Sequence, residues 1–248
     1  MAKKKARTPP PPRKVQAPAR RDTGGGPRPS FSAVPRWGWA AGAGALVVAL
    51  VVIVVLVTSS SSSKAADVKS TMLAAGCTYR DVPPKPPKNK TDYHADVPSL
   101  STSTKGLWST FPPSAGGHYP LWAVWGFYTN PVNPRQVVHN EEHGAVVIWW
   151  GPNVSKATIA QLQGFYNQQP VGVFGTPIAG LGNKIALTAW SGDPNKYYKN
   201  GYYGMGHIAI CSHFDQKAFA AFRSAYRGKG PEGIPLKPYD EPGQGPSS

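Results

Sequence analysis

The sequence predicts an α+β fold, one compact domain built on a small mixed sheet with two helices on one of its faces. Three observations predict it. Short runs rich in β-branched and aromatic residues, AVVIWW at 145–150, IALTAW at 185–190 and HIAIC at 207–211, have the length and composition of strands. Two longer stretches, Lys156–Asn167 and Gln216–Arg227, carry apolar residues at helical spacing behind a capping side chain. A charge-free apolar run, Trp39–Val57, precedes all of these and separates the domain from a basic tail.

Residues 1–38 hold ten Lys/Arg and one acid, Asp22, in Pro- and Gly-rich sequence such as TPPPPRK and TGGGPRPS. Almost nothing there can be buried, so a disordered tail is expected. Residues 39–57, WAAGAGALVVALVVIVVLV, contain no charge and no proline. As a helix they would span about 28 Å, close to the hydrocarbon core of a bilayer, with Trp37 and Trp39 at the interface. The run exceeds the apolar segment of a cleaved signal peptide. A retained single-pass transmembrane helix is therefore expected. The Lys/Arg excess before it puts the tail in the cytoplasm and everything after it outside.

Residues 58–71 form a linker whose Ser59–Ser63 run is a flexible tether. Residues 58–248 carry 17 Lys/Arg against 11 acids, so most of the formal charge of +15 belongs to the tail. No basic stripe with interleaved aromatics occurs, which argues against nucleic acid. The expected partners are the membrane and an envelope protein. Both cysteines, Cys77 and Cys211, follow the apolar run. In an oxidising compartment an isolated pair most simply forms a disulfide.

The extracytoplasmic domain is expected over 72–232, with a flexible tail at 233–248. Asp67–Ala75 reads as one or two helical turns leading to Cys77, and 83–90 (PPKPPKNK) as extended chain. From 98 to 120 the sequence reads as a long ordered loop ending in PPSAGGHYP, with regular structure beginning near Val124. Ala145–Trp150 is a buried strand, and a Gly151-Pro152-Asn153 turn follows. Ser155 then caps the first helix, whose stripe is Ile159, Leu162, Phe165 and Tyr166. Val171–Phe174, Lys184–Trp190 and His207–Cys211 are further strands. Asp215 caps the second helix, which presents Phe219, Phe222 and Tyr226 and ends at Gly228. Trp149, Trp150, Trp190, Phe219 and Phe222 are expected in the core. Trp122, Trp125, Phe127 and Tyr128 are candidates to line a groove beside His118. Tyr197, Tyr198, Tyr202 and Tyr203 read either as a contact patch or as a hairpin packed on its own domain.

The chemistry concentrates in His139-Asn140-Glu141-Glu142-His143. It contains His-x-x-Glu-His, a metalloprotease pattern that needs a helix to put both histidines on one face with the glutamate as base. Gly144 and a strand follow at once, the preceding PRQVV is short and starts with proline, and no glutamate occurs between Glu142 and Glu232. On these grounds the protease reading is set aside. A metal site without hydrolysis fits better. His118, His139, His143 and His94 supply imidazoles suited to copper or zinc, and Glu142 supplies a ligand or an acceptor behind one. Met205 and His207 would add a soft ligand for copper. The competing reading is a structural polar cluster at a strand end. Three function classes follow: a membrane-anchored protein binding copper or zinc, an accessory module of an envelope complex, and an enzyme using His/Glu acid–base chemistry.

Several pieces together resemble the domain of unknown function DUF3105. They are Gly76-Cys77, His94, PPSAGGHYP at 112–120, WGFY at 125–128 and VVHNEEHGAVVIWWGP at 137–152. IALTAW at 185–190, CSHFD at 211–215 and AFRSAYRGKGPE at 221–232 complete the set. The resemblance covers about 72–232 and includes His94, His118, His139 and His143. It implies a membrane-anchored or exported protein with paired Cys77 and Cys211, and implies no reaction.

Overall fold

The structure, a computed structural model, describes residues 67–87, 93–94, 106–197, 199 and 203–236. All of them fall in the second of two units, Val54–Ser248. The basic tail, the apolar run 39–57, Tyr198, Tyr202 and residues 237–248 lie outside the described residues. Among the described residues no helix is long and apolar enough to cross a membrane.

In chain order the elements begin with α1, described over 67–74, and β1 (Thr78–Val82). The next are α2 (Pro134–Glu142), β2 (Val146–Trp150), α3 (Lys156–Gln168) and β3 (Val173–Pro177). The last are β4 (Ile185–Ser191), β5 (Met205–Cys211) and α4 (Gln216–Tyr226). The five strands form one mixed sheet in the order β1-β5-β4-β2-β3, parallel only between β2 and β3, which α3 connects. The α+β class with a small mixed sheet therefore stands.

Alternation along the strands divides the interior in two. Val146, Ile148 and Trp150 of β2 join Ile185, Leu187, Ala209 and Cys211 on one face. This face packs on Met72 of α1, Leu162 and Phe165 of α3, and Phe219, Phe222 and Tyr226 of α4. Val147, Trp149, Phe174 and Ala186 point the other way, against Val137 of α2 and the loop residues Ala123 and Val132. Trp190 and Val138 continue that second layer with Tyr93, Ala115 and Tyr197. The expectation of helices on one face is thus corrected: among the described residues there are four helices, and α2 lies on the opposite face from the other three.

Helix α2 is not foreseen from the sequence, although its signals are local. Asn133 is the N-cap, its side chain accepting from Arg135 N at 3.0 Å, and Pro134 occupies the first turn. A proline there gives up an amide that would be unpaired anyway, so it starts the helix rather than breaking it. At the other end Gly144 takes φ +97 and donates to Glu141 O, while Ala145 N donates to Asn140 O, both at 2.8 Å. That left-handed glycine is a helix stop. The His-Asn-Glu-Glu-His segment is therefore helical to its last turn. Edge strand β1 was missed too. It is tied on by a Cys77–Cys211 disulfide with Cα atoms 4.2 Å apart, in register with Thr78 opposite Ile210.

Candidate metal centre

Every residue of α2 from Arg135 to Glu142 is buried, although most are polar. Buried polar groups must be hydrogen-bonded, paired or coordinated, or the helix could not dock. Asn140 is satisfied by the Ala123 backbone, donating to its carbonyl at 2.8 Å and accepting from its amide at 3.1 Å. Glu141 faces the sheet, where Thr188 Oγ1 donates to its Oε1 and Trp149 Nε1 donates to Thr188 at 2.7 Å. His139, Glu142 and His143, spaced i, i+3 and i+4, share the third side of the helix. Their side chains meet residues delivered by three other segments.

The first segment is the loop ending in Gly116-Gly117-His118-Tyr119. Tyr119 docks it on α2 twice, its amide donating to Arg135 O at 3.1 Å and its carbonyl accepting from His139 Nδ1 at 2.7 Å. His118 is fully buried and its Nδ1 donates to Gly116 O at 2.8 Å. The second is 93–94. Tyr93 is wholly buried against Trp190 and Tyr203, and this sets His94 with its Nε2 3.6 Å from Glu142 Oε2. The third is the chain after α4. Gly228 N donates to Gly144 O at 2.8 Å, and a Cβ on Gly230 would fall 2.1 Å from Glu142 O. Only glycine allows that approach, and it carries Glu232 Oε2 to 3.2 Å from His143 Nε2.

His94, His118, His139 and Glu142 each offer one ligand atom, all within 4.8 Å of one another. A second set, Glu142, His143 and Glu232, meets the same condition. The rings of His94, His118 and His139 have centroids 4.6–4.8 Å apart, and Trp122 covers His139 and His143 from outside. His118 Nε2 approaches Glu142 Oε2 to 3.0 Å as a buried ion pair. Tyr197 OH donates to the other oxygen, Glu142 Oε1.

Electrostatics polarise the cluster. Burial alone would lower the pKa of His118, but the Glu142 carboxylate outweighs it and the pKa is raised. Burial likewise pushes Glu142 up, and the charge of His118 overrides it, holding Glu142 down at about 2. His139, buried and next to the His118 cation, is lowered to about 2 and stays neutral. Glu141 is the opposite of its neighbour. Burial, against the opposing hydrogen bond from Thr188, pushes it well above the usual carboxylate range and favours the protonated acid.

A stability prediction follows from Glu141. Its folded pKa is raised, so above the ordinary carboxylate pKa the unfolded chain sheds a proton that the folded chain keeps, and stability falls as pH rises. Glu141→Gln keeps the neutral shape and removes this penalty. Its melting temperature relative to the parent should rise between pH 4 and pH 8; a pH-independent difference would contradict a neutral Glu141.

Three sequence expectations need correction. Glu232 was used only to mark the end of a gap, and it adjoins His143. Met205 and His207 do not reach the cluster. Met205 is 36% exposed at the start of β5, while His207 Nδ1 contacts Asp81 Oδ1 at 2.6 Å and its Nε2 contacts Ser191 Oγ at 2.7 Å. Of the aromatic quartet only Trp122 touches the histidines; Phe127 stacks on Trp150 and Tyr128 packs on Phe174. Tyr197 was missed as a site residue, and no spacing rule could have linked it to Glu142. Tyr197 and Tyr203 pack on the domain, and Tyr198 and Tyr202 lie outside the described residues.

The Ser191–His207–Asp81 order is that of a hydrolytic triad. However, the amide after Ser191, which would serve an oxyanion, donates to Lys229 O at 3.0 Å, and Tyr79 OH also holds Asp81 at 2.7 Å. We read this chain of contacts as tying edge strand β1 to β5 and β4.

Fold and cluster together define a small α+β domain with a buried His/Glu cluster. The chain belongs to the DUF3105 family, proteins of unknown function, whose sequence profile matches residues 101–237. No curated protein and no solved structure gives a significant match.

Proposed function

We propose that this is a membrane-anchored extracytoplasmic protein that binds a transition-metal ion through His94, His118, His139 and Glu142. One observation carries the reading: the buried imidazoles of His118 and His139 each spend Nδ1–H on a backbone carbonyl. Each ring is thereby oriented with Nε2 turned to the cluster, the arrangement that fixes tautomer and direction in metal-bound histidines. Imidazole and carboxylate without thiolate or thioether favour a divalent ion of the zinc or copper(II) class, not copper(I). The alternative of a purely structural cluster leaves a nearly inaccessible ion pair, His118–Glu142, and several imidazoles in one pocket, a costly way to close a core.

Protease chemistry is less well supported. The motif is helical, but Glu142 is engaged by His118 and Tyr197 rather than free to activate a water. The Cys77–Cys211 bridge supports an oxidising, extracytoplasmic compartment, in line with the apolar run at 39–57 and the Lys/Arg before it. An envelope protein partner is retained as the second reading on the ground of that anchor alone.

The test is the metal content of the full-length chain purified from the exporting cell. Stoichiometric zinc or copper that disappears in a folded His139→Ala variant supports the reading. Equal metal in parent and variant, or none in either, overturns it. Protease added to intact cells should digest the domain and spare the tail; a fully protected domain would reverse the topology.

A further inference from the structure

We propose that the cluster holds two divalent cations, with Glu142 as the carboxylate shared between them. This rests on the metal reading above and extends it. Six donor residues gather at the end of α2, and a tetrahedral ion of the zinc class takes no more than four. The donors do not form one shell. They divide into His94, His118, His139 and Glu142 on one side and Glu142, His143 and Glu232 on the other, with Glu142 common to both. The two sets touch again where His139 Nε2 lies 3.0 Å from His143 Nε2.

The end of α2 is built to serve both sets. Its last turn carries His139, Glu142 and His143 on one face, so a single rigid element supplies a donor private to each ion and one between them. Glu232 is brought in by backbone packing rather than by chance of a long side chain. Gly230 sits so close to the Glu142 carbonyl that no side chain fits, and Gly228 is bonded to Gly144.

Each position has a partly exposed donor. In the first, the side chains of His118 and Glu142 are wholly buried and that of His94 is 26% exposed. In the second, those of His143 and Glu232 are 10% and 23% exposed, under the edge of Trp122. The second ion would have three protein donors, which leaves a coordination position for water or a small oxyanion, as open sites do. Charge supports this. Two divalent ions against the carboxylates of Glu142 and Glu232 leave net positive charge facing that opening, which would draw an anion such as phosphate or a carboxylate. Ions that share one carboxylate would lie about 3.5–4 Å apart, as in two-metal centres.

The experiment strips the full-length chain with chelator, reloads it with Zn2+, removes free metal and counts ions per chain. Two ions in the parent, falling to one in Glu232→Gln and in His143→Ala, support the proposal. Glu232→Gln keeps the shape of a partly exposed side chain, so its fold can be verified by circular dichroism if His143→Ala does not fold. One ion in the parent, unchanged in Glu232→Gln, overturns the second position and leaves the first intact. No ion in the parent overturns both readings. Loading with Cu2+ gives an independent readout: two coupled ions yield an electron paramagnetic resonance signal well below two spins per chain. Two full, uncoupled spins would overturn the sharing of Glu142.

Discussion

Chelation will lower the melting temperature of the full-length protein by about 10 °C, and His139→Ala will remove that response. An ion present at a thousand times its dissociation constant stabilises the folded state by about 4 kcal/mol, since the unfolded chain has no assembled site. Each kcal/mol is worth roughly 2–4 °C in a domain of this size. His139 is the informative position because its pKa is lowered to about 2 and it is neutral in the folded protein. Its removal deletes a ligand without stranding a buried charge. His118→Ala would leave the Glu142 carboxylate buried without its cation, and would destabilise by roughly 3–5 kcal/mol whether or not a metal binds. The measurement is a thermal melt of parent and His139→Ala, each with Zn2+ and with chelator. If the parent melts at the same temperature in both conditions, the cluster is a structural network and the metal reading fails.

Loss of the Cys77–Cys211 bridge will be the largest single destabilisation outside the cluster. The bridge joins residues 134 apart in sequence, and closing a loop of that length removes chain entropy worth up to about 5 kcal/mol from the unfolded state. A Cys77→Ser, Cys211→Ser variant should therefore melt roughly 10–20 °C below the parent. The site of damage is specific. Strand β1 is a sheet edge paired only with β5, and α1 just before it contributes Val68 and Met72 to the core. Both cysteines lie on the face away from the histidines, so metal content per folded chain should not change. A shift of only a degree or two would show that β1 and α1 hold without the bridge.

The two cores and the site were legible to different degrees. Strands β2, β4 and β5 and helices α3 and α4 could be read directly, because each buries a long apolar run or stripe whose period shows in the residues themselves. Ser155 and Asp215 cap their helices, accepting from Thr158 N at 3.1 Å and Ala218 N at 2.7 Å. Helix α2 could not be read that way. It is buried on every side, so its polar residues follow no amphipathic period, and only Asn133-Pro134 and Gly144 mark its ends. Strand β1 has one fully buried apolar side chain, Tyr79, and owes its place to pairing and to the disulfide.

What the sequence by itself determined is the inventory: a basic tail and a charge-free apolar run, two cysteines, the strands and helices with strong periods, and histidines gathered in a few short motifs. Only the tertiary structure decided how the inventory is used. It put α2 on the face opposite the other helices, turned His118 and His139 by bonding their Nδ1 atoms to Gly116 and Tyr119 carbonyls, and sent Glu141 and Glu142 to opposite environments. It brought Tyr197 and Glu232 to residues 55 and 89 positions earlier in the chain. The reason is physical. Period and capping are encoded within a turn or two of chain, whereas ligand convergence depends on which loops can approach α2, and that is set by backbone contacts such as Gly230 on Glu142 that leave no mark in local composition.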